Sequence, residues 1–345
     1  MRHTPIAAAL AAALLAAAAA TAHADVLTDT TLSGKTYIDF TNLDQTKNGS
    51  DTANAGTGLD VKRFYLTVDH KFDDFWSAGL TTDFNYTASS GETQLFVKKA
   101  WVQAKFSDAL KLRAGADDMP WIPYVESLYN LRYVENTLID RLKYGTSSDW
   151  GVHAFGSGDN LWNYNVAVVN GAGYKNPTRS NSVDVEARFG ITPLPGLSLA
   201  VGGYSGELGK DTANLASGST RTANRLDAVA AYVGPQFRVG AEYFRQNNWN
   251  NVLTTGPKDS ANGYSLWGQY VFTPEFSAFA RYDHADQSKD INPLLKDTYY
   301  NAGLEWIARK GVRLAAVYKH EKLTDSTLAN TTKSNEIGVW AEIAF

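Results

Sequence analysis

Alternation with a period of two, sustained from residue 32 to residue 345, constrains this chain more than any other feature. In the run 32–40, Leu32, Gly34, Thr36, Ile38 and Phe40 share one face, and Ser33, Lys35, Tyr37 and Asp39 share the other. Phe64, Leu66 and Val68 alternate with Arg63, Tyr65, Thr67 and Asp69 in the same way. Further apolar rows follow: Val183, Val185, Ala187, Phe189 and Ile191, then Leu226, Ala228, Ala230 and Tyr232, then Tyr264, Leu266, Gly268 and Tyr270, and last Ile337, Val339, Ala341, Ile343 and Phe345. Successive side chains on a strand point to opposite faces, so each run is a strand with one apolar and one polar side. Roughly sixteen such strands of about 9–12 residues are countable, the length a tilted strand needs to cross a bilayer.

The connections alternate in length. Tight turns fall at 71–74, 107–109, 192–196, 234–235, 273–275 and 309–311, and longer polar stretches at 42–58, 170–181, 206–223, 247–262, 286–296 and 323–333. Short turns on one side and long loops on the other are the mark of an antiparallel up-and-down transmembrane β-barrel. Aromatic residues recur near the ends of the outward rows, as with Phe237 and Tyr243, Phe276 and Tyr282, and Tyr300 and Trp306, where two interface girdles would lie. An open edge is intolerable in lipid, so the all-β sheet must close. About sixteen strands enclose a space too wide for side chains to fill, which leaves a water-filled passage for ions and small hydrophilic solutes.

Arg2, the Ala- and Leu-rich stretch 6–20 and Ala22-His23-Ala24 read as a secretory signal peptide over 1–24, cut before Asp25. Residues 25–345 then form one barrel domain, expected in the bacterial outer membrane among phospholipid and lipopolysaccharide. The net charge of −4 argues against a nucleic-acid partner. There is no cysteine, and His70, His153, His284 and His320 are far apart, which gives no metal or cofactor site. No catalytic motif is present. Asp283-His284 invites a hydrolase reading, but neighbours on a strand point to opposite faces. A barrel hydrolase or an adhesin is the alternative to a channel.

One connection differs from the rest. Residues 117–145 are dense in Trp121, Ile122, Tyr124, Val125, Leu128, Tyr129, Leu131 and Tyr133, too apolar to float in water. This third long loop is expected to fold inward and to constrict the passage, lining it with Asp117, Asp118, Glu126, Arg132, Glu135, Asp140, Arg141 and Lys143. Inward phase also assigns Arg63, Lys99, Lys111, Arg113, Arg188, Arg225, Arg238, Arg281 and Arg313 to the lumen wall, opposed by a similar number of carboxylates. Ion selectivity cannot be derived from so even a balance. The arginines are either a ladder for anions or partners of the carboxylates, and the second is the more ordinary. Lys98 falls in phase with Phe96, Ala100 and Val102, which points it at lipid at a cost of about 2–4 kcal/mol near the midplane. Snorkelling, a subunit contact or a bulge would each relieve that cost.

The segments VKRFYLTVDHKFDDFWSAGLTTDF (61–84), KKAWVQAKF (98–106) and LKLRAG (110–115), followed by a Pro-containing loop with Glu126 and Glu135, carry a family resemblance. Over 61–136 the chain resembles the porins O and P, a family known for phosphate- and polyphosphate-selective members. The resemblance implies a sixteen-stranded barrel, a homotrimer and an infolded third loop, with phosphate among the candidate solutes. The chain departs from that pattern at Asp117 and Asp118, where many members place a basic residue, and its loop lacks their lysine-rich site.

Overall fold

The structure is a computed structural model that describes residues 28–87, 92–325 and 330–345; the expected signal peptide and the side chains of residues 85–87 and 92 lie outside it. All described strands join one antiparallel sheet, and one of them, Ser50–Asp51, is only a two-residue extension of the first hairpin. Sixteen strands then form the wall: β1 Thr30–Lys47, β2 Gly56–Lys71, β3 Trp76–Thr87, β4 Glu92–Lys105, β5 Lys111–Asp118, β6 Ser148–Gly158, β7 Trp162–Val169, β8 Asp184–Leu194, β9 Leu197–Gly206, β10 Ala223–Val233, β11 Phe237–Asn247, β12 Ser260–Val271, β13 Phe276–Ser288, β14 Leu295–Arg309, β15 Val312–Asp325 and β16 Asn330–Ala344. The last strand pairs with the first from Lys35 opposite Ala344 to Lys47 opposite Thr332, so no edge remains.

The period-two rows decide which side faces out. Leu226, Leu304 and Ile337 are about 60% exposed, values that a soluble protein could not sustain along every strand and that a hydrocarbon surround removes. The aromatic girdles differ by end. Phe72, Trp76, Phe276 and Trp306 crown the short-turn side, while Tyr243, Tyr264, Tyr282, Tyr300 and Tyr318 sit toward the long loops. Several polar runs read as loops are strand: β1 continues through Lys47, and β15 and β16 pair as far as Asp325 and Asn330. Beyond the hydrocarbon a hairpin can continue in water, so its residues lose the apolar alternation but keep the ladder.

Two bulges correct the expected phase. In β4, Thr81 pairs with Lys99 and Thr82 with Val97, so Lys98 is the extra residue. Lys98 therefore points inward beside Lys99, and Phe96 turns inward with it, packed on Tyr174, instead of facing lipid. In β2 the pairing skips Lys62 in the same way, which turns Lys62 toward Asp39 next to inward Arg63.

The third long loop enters the barrel, and the buried core of the molecule is this loop against the wall. Trp121, Ile122, Val125, Leu138 and Ile139 are at most 1% exposed. Two short helices shape it, α1 Ile122–Tyr129 and α2 Leu138–Arg141. Pro123 sits in the first turn of α1, where a missing N–H costs nothing, and Asn130 closes it in the left-handed conformation with its N–H on the Glu126 carbonyl at 2.8 Å. Asp117 and Asp118 belong to β5, paired with Asp149 and Ser148, so the loop proper begins at Met119.

Candidate functional site

The loop is pinned to one side of the interior by the wall's own cations. Arg188 Nε donates to the Pro120 carbonyl at 2.9 Å, Arg238 Nη1 to Leu128 at 2.6 Å, Arg313 Nη2 to Asn130 at 2.9 Å, and Lys319 Nζ to Val134 at 2.7 Å. Arg225 reaches the Tyr144 carbonyl and Arg281 that of Asn136. Wall carboxylates take the loop's donors: Glu186 accepts the Trp121 N–H at 2.9 Å, Glu242 the Trp121 indole N–H at 2.8 Å, and Glu305 the Tyr133 hydroxyl at 2.9 Å. Charged partners make each of these stronger than a neutral hydrogen bond, and burial shields those of Arg188, Lys319, Glu186, Glu242 and Glu305 from water.

These contacts account for most of the expected basic wall. Arg188, Arg225, Arg238, Arg281 and Arg313 lie between the wall and the loop and do not form a basic row facing open water. They also hold carboxylates, as in Arg225 with Asp227 at 2.9 Å, Arg281 with Asp283 at 2.6 Å, and Arg313 with Glu305 at 2.6 Å. Arg141 of α2 is clasped the same way by Asp283, Asp297 and Glu321 at 3.1, 2.5 and 2.6 Å, and is thereby held behind the loop. Lys143 is exposed at the end of α2 with φ +61°.

The opposite half of the wall, β16 and β1 to β5, stays uncovered, and there the space is polar. A cavity of about 550 Å³ is lined by Lys98, Lys99, Arg113, Asp118, Tyr37 and Tyr65 from the wall and by Pro123, Glu126 and Arg132 from the loop. A second space, of about 290 Å³, is lined by Lys62, Arg63, Glu135, Lys319 and Glu336. Tyr37 and Arg132 line both, so they stand at the neck between them. A larger groove of about 560 Å³ on the lipid-facing side of β8 to β12 is apolar and plays no part in the passage.

The charges at the neck are paired. Arg132 binds Glu126 through Nε and Asp140 at 3.2 Å through Nη2, which fixes its guanidinium across the opening. Lys99 binds Asp118, and Arg113 binds Asp117 at 2.9 Å while lying over the Trp101 ring at 3.9 Å. Glu135 meets Lys319 at 3.2 Å. Burial alone would raise the Glu135 carboxyl, but Lys319, Arg281 and Arg141 outweigh it and hold the pKa down at about 2. Lys111 lies lower, its ammonium 5.9 Å from the centre of the Phe155 ring. Above the neck, Lys175 comes in from the loop after β7 and rests over the Phe96 ring at 4.5 Å. Burial, then the nearby cations Arg63 and Lys98, push its ammonium below the ordinary value. Alternation alone could not show Lys62, Lys98 or Lys175, since two depend on bulges and one on a loop.

The tempting pair Asp283-His284 is split by the sheet. Asp283 lies inside on Arg281 and Arg141, and His284 lies near Tyr264 and is partly exposed.

A closed sixteen-stranded barrel, greasy outside, with a charged passage beside an infolded loop, defines an outer-membrane pore. The sequence profile of the Gram-negative porins matches residues 9–342, and the chain belongs to that family. It is a channel for passive diffusion in the bacterial outer membrane and not an enzyme. No curated protein matches the chain. Among solved structures, an anion-selective porin from Comamonas acidovorans is 14% identical with a TM-score of 0.66, covering 92% of this chain and 99% of that one. OprB of Pseudomonas putida at high pH is 11% identical with a TM-score of 0.64 over 92% and 94%. Salmonella typhi OmpF in complex with daunomycin is 14% identical with a TM-score of 0.61 over 92% and 97%. These likenesses speak for the fold.

Proposed function

We propose that the permeation path runs through the two polar spaces, past Tyr37 and Arg132, and that it favours small monovalent anions over cations. The observation that carries this reading is the inward turn of Lys62 and Lys98 at the two bulges, which adds cations to the uncovered half of the wall beyond those the strand phase supplies. Of the expected constriction residues, Asp118, Glu126, Arg132 and Glu135 line this path, while Asp117, Asp140 and Arg141 serve as ion-pair partners around it. Selectivity in such a pore follows from the charges at its waist and its width.

Phosphate is not singled out in this reading. Arg132 is the only cation the loop contributes to the lining of the two spaces, and Glu126 and Asp140 already hold it. We also propose that the chain works as a homotrimer in a leaflet containing lipopolysaccharide, porins of this family being typically trimeric. In planar bilayers with a KCl gradient, the reversal potential is expected on the chloride side, and adding phosphate is expected to leave the chloride current nearly unchanged. A reversal potential at zero or on the potassium side would contradict the anion reading.

A further inference from the structure

We propose that Lys98 and Tyr65 form a binding site for a small monocarboxylate with a planar apolar body, seated in the cavity below the neck. The proposal rests on the anion reading above and deepens it from attraction to recognition.

Lys98 is 7% exposed and lines the cavity of about 550 Å³. Its Nζ donates to the Tyr65 hydroxyl at 3.2 Å and lies 4.5 Å from the centre of the Tyr65 ring. Among the described residues, no carboxylate comes within 4.0 Å of that ammonium, whereas the cavity's other inner cations are all engaged. Lys99 holds Asp118, Arg113 holds Asp117, and Arg132 holds Glu126. Asp118 and Glu126 act on Lys98 only from beyond 4.0 Å, and each already holds another cation, so Lys98 is left without a direct ion pair, and the sheet has spent a bulge to put it there.

The chemistry of the missing partner follows from what is left over. One ammonium without a direct ion pair takes one negative charge; a divalent anion would bring a second charge toward Asp118 and Glu126 in a poorly hydrated place. Tyr65 accepts from Lys98, so its own hydroxyl proton is free to donate, and ammonium and hydroxyl side by side offer two donors to the two oxygens of one carboxylate. Tyr37 and Tyr65, edge to face with centroids 6.0 Å apart, and Pro123 supply apolar surface for the rest of the solute. Lys175, nearer the mouth, would draw the anion in.

The test is current block in planar bilayers with the intact channel in KCl, adding sodium benzoate, the neutral benzamide or sodium phosphate. Benzoate is expected to reduce the chloride current saturably, and benzamide and phosphate are not. In Lys98→Met the benzoate concentration for half-block is expected to rise by roughly tenfold or more, and Lys98→Arg is expected to restore most of it. Should Lys98→Met fail to assemble, Tyr65→Phe decides alone, with roughly a threefold weaker block expected. Equal block by benzamide or phosphate, or block unchanged in these variants, overturns the site. The reversal potential separates the two levels: chloride preference without saturable block removes the site and leaves the anion reading, whereas cation preference removes both.

Discussion

Gly115 holds φ at +128°, and a Cβ there would stand 2.1 Å from the Ala100 carbonyl oxygen, in the strand that leads into the infolded loop. Gly115→Ala is therefore expected to destabilise the barrel by at least about 2 kcal/mol, read as a lower unfolding midpoint in urea. Glu135 sets the acid limit. Its pKa falls from the usual 4.5 to about 2 in the folded chain, so its contribution to stability is complete above pH 4.5 and is lost as the pH falls toward 2. The tie between Glu135 and Lys319 is expected to survive at pH 4, and Glu135→Gln is expected to narrow the stability difference from wild type only below pH 4.5; a difference already closing at pH 6 would contradict this. At this scale the sequence was legible wherever alternation held. Lys99 and Arg113 follow from it. A bulge at Lys98 was one of three readings left open, and the sequence carried a trace that favours it: the outward apolar residues switch phase from Leu95 and Val97 to Ala100 and Val102, and likewise from Leu59 and Val61 to Phe64 and Leu66.

At the scale of elements, the loop behaves as a second layer of structure held by the first. Its apolar density made its inward fold readable in advance. What alternation could not convey is that the arginines opposite it would turn their guanidiniums to loop carbonyls, because a backbone acceptor leaves no mark in a sequence. Arg281→Met removes the donor to the Asn136 carbonyl and leaves Asp283 to Arg141 alone. Leaving a buried carboxylate short of a partner costs about 3–5 kcal/mol. The expected result is a lower unfolding midpoint together with a larger, noisier single-channel conductance as the loop loosens.

On the scale of the whole molecule, the barrel is stable because each face meets the solvent it suits. Ala302 lies on the outward row between Tyr300 and Leu304, so Ala302→Arg is expected to cost about 2–4 kcal/mol in refolding into lipid vesicles. Closure, strand number and the short and long sides were all legible from spacing, since geometry in a bilayer permits few alternatives. Which half of the interior stays open was not, for it depends on contacts between residues far apart in the chain.

The division of the interior into a covered half and an open half is the claim from which the rest follows. The chain lacks cysteine, so single cysteines report on it directly. Thr67→Cys stands on the open side, and Ser265→Cys, at 1% exposure, stands within the covered wall. Under a charged methanethiosulfonate reagent in planar bilayers, the current through Thr67→Cys is expected to fall stepwise while Ser265→Cys stays unaffected. Block at Ser265→Cys with Thr67→Cys inert would place the path on the other side of the loop and contradict the account.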